Sequence, residues 1–212
     1  MSKIILKAFV FLTSISIYSQ NLNEKFLIEL KQKKVDIICL YEDYSIGNAQ
    51  FIDTDNEKDY CEFEFEDIPT FIFWNKNGKT FLTKTDNCFE YSIIEIDADK
   101  IWKSYFENKK TIQIEKIKNF QYVEIKNGKK TILTSMVDHS HHQNFKIIEK
   151  DKLTEKRFDD FDLQKFEEFS NEKEININYK HNINLKSKAL INEINKLILK
   201  NERLLTKNRI EK

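Results

Sequence analysis

Glycine, proline and cysteine are scarce in this chain: three, one and three among 212 residues. So little glycine leaves no phosphate-cradling loop, because close approach of backbone to a phosphate needs residues without a Cβ. No GxSxG elbow and no HExxH pair of metal ligands occurs either. An excess of one charge is also missing, 35 Lys and Arg standing against 35 Asp and Glu. That balance gives no reason to expect nucleic acid as a partner. Past the first twenty residues no apolar run approaches the length of a transmembrane helix.

What is present begins with an export pattern. Lys3 and Lys7 form a positive n-region, and the residues from Ala8 to Leu12 with Ile15 and Ile17 form a short apolar h-region. Ser19 then supplies a small residue ahead of Gln20. This predicts a secretory signal peptide over 1–19 and a single exported domain over 20–212, periplasmic or extracellular. Charge in the remainder is unevenly placed. Between residues 42 and 67 ten acids stand against one base, Lys58, whereas 186–212 holds eight bases and three acids. Solvated faces account for both, and an acidic lobe that docks on a basic partner is the alternative.

Asn21 and Glu24 have capping-box spacing, which predicts a first helix over about 23–33. The run 35–41 is nearly continuous in β-formers and reads as a buried strand, and 50–53 is a weaker strand candidate. Residues 61–66 alternate apolar and acidic side chains, as a half-buried strand does. Two β-prone runs, 70–74 and 80–85, flank Asn77-Gly78, the strongest short-range hairpin signal. Residues 89–96 continue that meander.

Asp97 is placed to cap a helix carrying Ile101, Trp102, Tyr105 and Phe106 on one side and ending near 108–110. A second hairpin about Asn127-Gly128 joins 122–125 to 131–136. Asp162 is expected to cap a helix bearing Leu163, Phe166 and Phe169. Ile175, Ile177, Tyr179, Ile183 and Leu185 alternate with polar residues, which predicts an extended segment. Leu190, Ile194, Leu197, Ile198 and Leu205 stripe a long C-terminal amphipathic helix over about 185–206. Strands in blocks, with helices between and after them, predict an α+β fold with antiparallel β-hairpins. Likeness between the hairpin units 68–97 and 118–149 raises an internal duplication.

The densest set of metal-capable residues is Asp138, His139, His141 and His142. His139 and His141, two apart on a strand, would share a side and could take zinc or a similar ion with Asp138. The alternative is a polar turn between strands. Residues 53–64 superficially follow a calcium-loop spacing, but Lys58 stands where the loop needs glycine. With an odd number of cysteines in an oxidising compartment, a disulfide, if one forms, is expected between Cys61 and Cys88, with Cys39 buried as a small apolar residue; all three reduced and buried is the alternative. No cofactor is expected from these patterns. The reading is an exported soluble protein, non-enzymatic, acting through binding or as an envelope component, with a protein as its possible partner. A metal-dependent hydrolase using Asp138 and the three histidines is the alternative. An inhibitor or immunity-type protein, engaging a basic partner through the acidic lobe, is another.

Overall fold

A computed structural model describes residues 22–46, 68–86, 88–150, 152–169 and 172–210. The leader, the run 50–53, the alternating segment 61–66 and the calcium-like spacing lie outside those residues. The chain divides into two compact units, Met1–Lys34 and Val35–Lys212. In the first, helix α1 (Leu22–Gln32) closes with Lys33 and Lys34 donating back to the carbonyls of Glu29 and Lys31, and Lys34 takes positive φ. The helical spacing of Phe26, Leu27 and Leu30 suits it, and Asn21 of the expected capping box lies outside the described residues.

The second unit is mixed helix and antiparallel sheet. Its strands are β1 (Ile37–Ser45), β2 (Thr70–Lys76), β3 (Lys79–Thr85), β4 (Phe89–Tyr91), β5 (Ile94–Ile96), β8 (His141–Glu149), β9 (Lys152–Asp159) and β12 (Lys207–Arg209). They form one sheet in the order β12-β4-β3-β2-β1-β8-β9, with β5 also paired to β3. β2 and β3 meet at Asn77 and Gly78, whose φ values of 55° and 77° are those of a two-residue primed turn. Strand β1 lies centrally, with Cys39 opposite Phe73 of β2 on one side and Ile147 of β8 on the other.

Odd-numbered residues of β1, β2 and β8 point to one face and build the core. Ile37, Cys39, Tyr41, Phe71, Phe73, Phe145 and Ile147 pack there with residues of helices α2 (Asp99–Ile114) and α4 (Lys186–Asn201). The helices contribute Ile101, Trp102, Tyr105 and Ile112, and Leu190, Ile191, Ile194 and Ile198. Trp102 donates its indole N–H to Thr80 Oγ1 at 2.9 Å, which satisfies the one polar atom that its burial would otherwise strand. Ile38, Leu40, Ile72 and Trp74, on the opposite face, are buried too. Burial on both faces is what a near-continuous apolar run demands. No helix among the described residues is long and apolar enough to cross a membrane.

Several elements differ from their sequence expectation. Helix α2 runs on past residue 110 to Ile114, because Ile112 is fully buried and adds a further turn of core contact. Phe106, expected on the packed side, is mostly exposed. The helix expected after Asp162 is instead a hairpin of β10 (Phe166–Phe169) with β11 (Glu172–Ile175). Asp162 is used elsewhere, its carboxylate accepting the backbone N–H of Phe120 at 2.6 Å.

The segment 175–185 leaves the extended form after Ile175 and forms the short helix α3 (Tyr179–Ile183). Asparagine drives that change, since its amide can replace backbone partners and draw the chain into turns. Asn178 N–H bonds Asn176 Oδ1 at 2.9 Å, and the buried Asn182 amide donates to the carbonyls of Lys118 and Asp162 at 2.7 and 3.0 Å. Helix α4 then starts under the Glu115 carboxylate, which accepts the backbone N–H groups of Lys186 and Ser187. An acid at that end suits the helix dipole. α4 ends at Asn201, short of 206. A 3₁₀ turn (Glu202–Leu204) follows and delivers β12 to the sheet edge.

Candidate functional site

His141 and His142 are the first two residues of β8, so their side chains leave the sheet on opposite faces. Asp138 and His139 precede the strand in an exposed bend, so His139 does not share a strand face with His141. Among the described residues no group of three or more His, Cys, Asp and Glu is arranged to hold a metal ion. Each strand histidine has an environment of its own.

On the core face, His141 lies between two carboxylates. Its Nε2 contacts Asp43 Oδ1 of β1, and its Nδ1 lies 3.1 Å from Asp160 Oδ2 in the turn after β9. Each ring nitrogen therefore faces a carboxylate oxygen. Asp43 also accepts the Tyr41 hydroxyl at 2.9 Å, and burial next to that carboxylate pushes the Tyr41 pKa far up. Gln143 donates to Tyr41 at 3.3 Å and accepts from Lys188 Nζ of α4 at 3.3 Å. Lys188 is half-buried over the Phe158 ring, and desolvation lowers its pKa. The group Tyr41, Asp43, His141, Gln143, Asp160 and Lys188 thus ties α4 to the sheet end through charge-assisted hydrogen bonds.

On the other face, His142 is buried beside Ser140, Arg157 and Asp159. Ser140 Oγ sits 3.0 Å from His142 Nε2 and 2.9 Å from Asp159 Oδ2. Arg157 Nη2 is 3.4 Å from the same Nε2, and the Tyr44 ring centroid is 5.3 Å from the imidazole. Burial first, and the Arg157 charge second, hold the His142 pKa below its ordinary value. Its Nδ1 has no hydrogen-bond partner, the nearest Asp159 oxygen being 3.7 Å away.

Serine, histidine and aspartate are the residue types of a hydrolytic triad, but the contacts run differently. A serine nucleophile passes its proton to a histidine that the acid orients. Here Ser140 can give its single proton directly to Asp159, and the histidine is closed from solvent. The arrangement suits a polar lock.

Cys39 is a buried free thiol whose pKa burial raises, the state of an unreactive core residue. Cys88 is disulfide-bonded, and Cys61 lies outside the described residues.

A second feature stands apart from the main sheet. Strands β6 (Gln121–Lys126) and β7 (Lys129–Thr134) form a separate two-stranded ribbon that turns at Asn127 and Gly128, both at positive φ. Its base is firmly held. Phe120 stacks on Phe161 at 4.8 Å, and Ile177 donates its N–H to the Gln121 carbonyl at 2.8 Å. Asn178 donates to Asn119 and Gln121 at 3.0 Å each.

Register puts Val123 opposite Ile132, and Ile125 opposite Lys130, on one side of this ribbon. Ile125 and Ile132 are 62% and 61% exposed, and Met136 just beyond β7 is 81% exposed. The other side carries Tyr122, which hydrogen-bonds Glu174 of β11, and the Glu124–Lys126 pair at 2.9 Å. The hairpin turn itself was readable in the sequence. The solvent-facing side was not, because the same alternation would serve a strand of the main sheet. Asp43, Asp160 and Lys188 were missed for another reason: they reach the histidine only through tertiary contacts, and no local spacing marks them. No protein-family model, curated protein or solved structure matches the chain.

Proposed function

We propose that this is an exported, non-enzymatic binding domain of the cell envelope, and that the β6–β7 ribbon is its binding surface. One observation carries this reading: a ribbon anchored at its base presents Val123, Ile125 and Ile132 on one side, all exposed. Contiguous exposed aliphatic side chains mark interaction sites. The export reading rests on the n-region and h-region around Lys3, Lys7 and Ala8, and the disulfide at Cys88 supports it, since such bonds persist in oxidising compartments. The non-enzymatic reading is supported by polar groups that are spent on one another, Asp43 and Asp160 on His141 and Asp159 on Ser140.

The test is expression of the full chain with its leader, sequencing of the mature amino terminus, and separation into soluble and envelope-bound fractions. Cleavage after Ser19 and envelope association are the expected results. The double variant Ile125→Ser, Ile132→Ser is expected to move to the soluble fraction with an unchanged thermal melt. A mature chain beginning at Met1, or a ribbon variant that fractionates like the parent, would overturn the proposal.

A further inference from the structure

We propose that the β6–β7 ribbon docks on an anionic lipid surface. The inference rests on the reading of the ribbon as the binding surface and names its partner. Residues 116–137 contain five lysines and a single acid, Glu124, in a chain whose charges balance overall. Lys126 and Lys129 flank the Asn127-Gly128 tip, and Lys130 stands on the same side as Ile125. Lys130 thus shares the aliphatic side, Lys126 and Lys129 lie on the opposite side with Glu124, and all three lysines cluster at the tip of one narrow element.

Two forces then act in the same place. Burial of Val123, Ile125, Ile132 and Met136 at the boundary of headgroup and acyl chain removes apolar area from water. Lysines at the tip gain from the negative potential of the lipid surface, and their long stems let the ammonium stay at headgroup level while the apolar face goes in. Ile177, joined to β6 by its hydrogen bond to Gln121, and Ile175 just before it are themselves exposed.

Composition separates a lipid surface from a protein partner. Protein interfaces concentrate aromatic residues and arginine at their centre and are depleted of lysine. The outward side of this ribbon has neither an aromatic residue nor an arginine, and its one tyrosine, Tyr122, is turned to Glu174. A second copy of the ribbon is excluded as occupant by like charge, since the tips would bring Lys126, Lys129 and Lys130 against their counterparts.

Co-sedimentation of the exported protein with vesicles tests this. Vesicles of phosphatidylglycerol and of phosphatidylcholine would be compared at about 0.1 M and about 1 M salt, between which the screening length falls from ~10 to ~3 Å. Binding to the anionic vesicles alone, and loss at high salt, are expected. Lys129→Glu and Lys130→Glu should each weaken binding by roughly fivefold or more, as expected for a lysine at a charged bilayer. The variant Ile125→Ser, Ile132→Ser should lose at least about tenfold through its apolar contribution.

Near-ultraviolet circular dichroism of each variant, matching the parent, secures that the fold is intact. Equal binding to neutral vesicles, no binding to either, or salt-sensitive self-association in place of lipid binding would each overturn the lipid proposal. If lipid binding fails while the ribbon variant still leaves the envelope fraction in cells, the ribbon remains the binding surface and its partner is a protein.

Discussion

Asp43 on β1 and His141 on β8 are in contact although they are not register partners. Asp43 pairs with Gln143, and the imidazole reaches back one step along the same face to the Asp43 carboxylate. Asp160 takes the other ring nitrogen at 3.1 Å. Among the described residues no three metal-capable side chains converge on a common point. Purified protein is therefore expected to carry no stoichiometric transition metal. Titration with zinc should show no saturable site that His141→Ala removes, as metal analysis and calorimetry would record.

His142 gives the fold a pH dependence whose sign follows from its lowered pKa. In the folded chain the ring resists protonation because it is buried and faces Arg157. In the unfolded chain it protonates near pH 6.5. The unfolded state then binds more protons in the window just below that value, so stability is full above about pH 6.5 and declines as pH falls through it. Chemical denaturation at pH 7.5 and pH 5.5 should show this decline in the parent. It should be smaller in His142→Asn, which lacks this contribution.

The disulfide at Cys88 predicts a specific pairing. Peptide mapping without reduction is expected to find Cys88 joined to Cys61, with Cys39 as a free thiol that reacts only after unfolding. Reduction should cost about 2–4 kcal/mol of stability, the usual range for such a cross-link. Cys61→Ser and Cys88→Ser should melt alike and be insensitive to reductant.

Asn182 is the polar post on which the base of the ribbon and α3 are hung. Fully buried, it accepts the Lys118 N–H at 3.0 Å and donates to the Lys118 and Asp162 carbonyls. Asn182→Ala leaves those backbone groups without partners in a dry site and should destabilise by about 3 kcal/mol. Asn182→Asp should be worse, because a carboxylate would face two carbonyl oxygens. Equilibrium unfolding measures both.

The two Asn-Gly turns make an internal control. Gly78 and Gly128 have φ of +77° and +74° with open space around each, so an added methyl meets no atom and the cost is backbone strain alone. That strain is about 1–2 kcal/mol for an L-residue in the left-handed region. Gly78→Ala sits in the main sheet and should lower the melting temperature by about 2–4 °C. Gly128→Ala should leave the main transition in place and loosen only the ribbon, which amide exchange of β6 and β7 would report.

How far the sequence could be read depends on where each signal lives. The mixed α+β class, with antiparallel strands, was legible because the period-2 and period-3.6 patterns are local. Segments 166–169 and 176–185 were misread for related reasons. Leu163, Phe166 and Phe169 recur at a helix-compatible spacing, but Phe166–Phe169 pairs in register with Glu172–Ile175, a partner that the spacing does not reveal. The odd-position isoleucines imitate a strand, while Asn176, Asn178 and Asn182 override them with side-chain bonds to backbone 55 to 64 residues away. The polar groups about His141 were illegible because Asp43, Asp160 and Lys188 come from three separate parts of the chain.

Strand β1 is an interior strand of the main sheet, yet one of its two neighbours is made long afterwards: Tyr41 and Gln143, joined by a hydrogen bond, are 102 positions apart. Pairings so remote form late, since the intervening chain must first be closed at an entropic cost. Until β8 has been synthesised, β1 and β2 have one flank with no strand to join. The apolar flank of β1 therefore stays open through much of synthesis, until β8 closes the sheet.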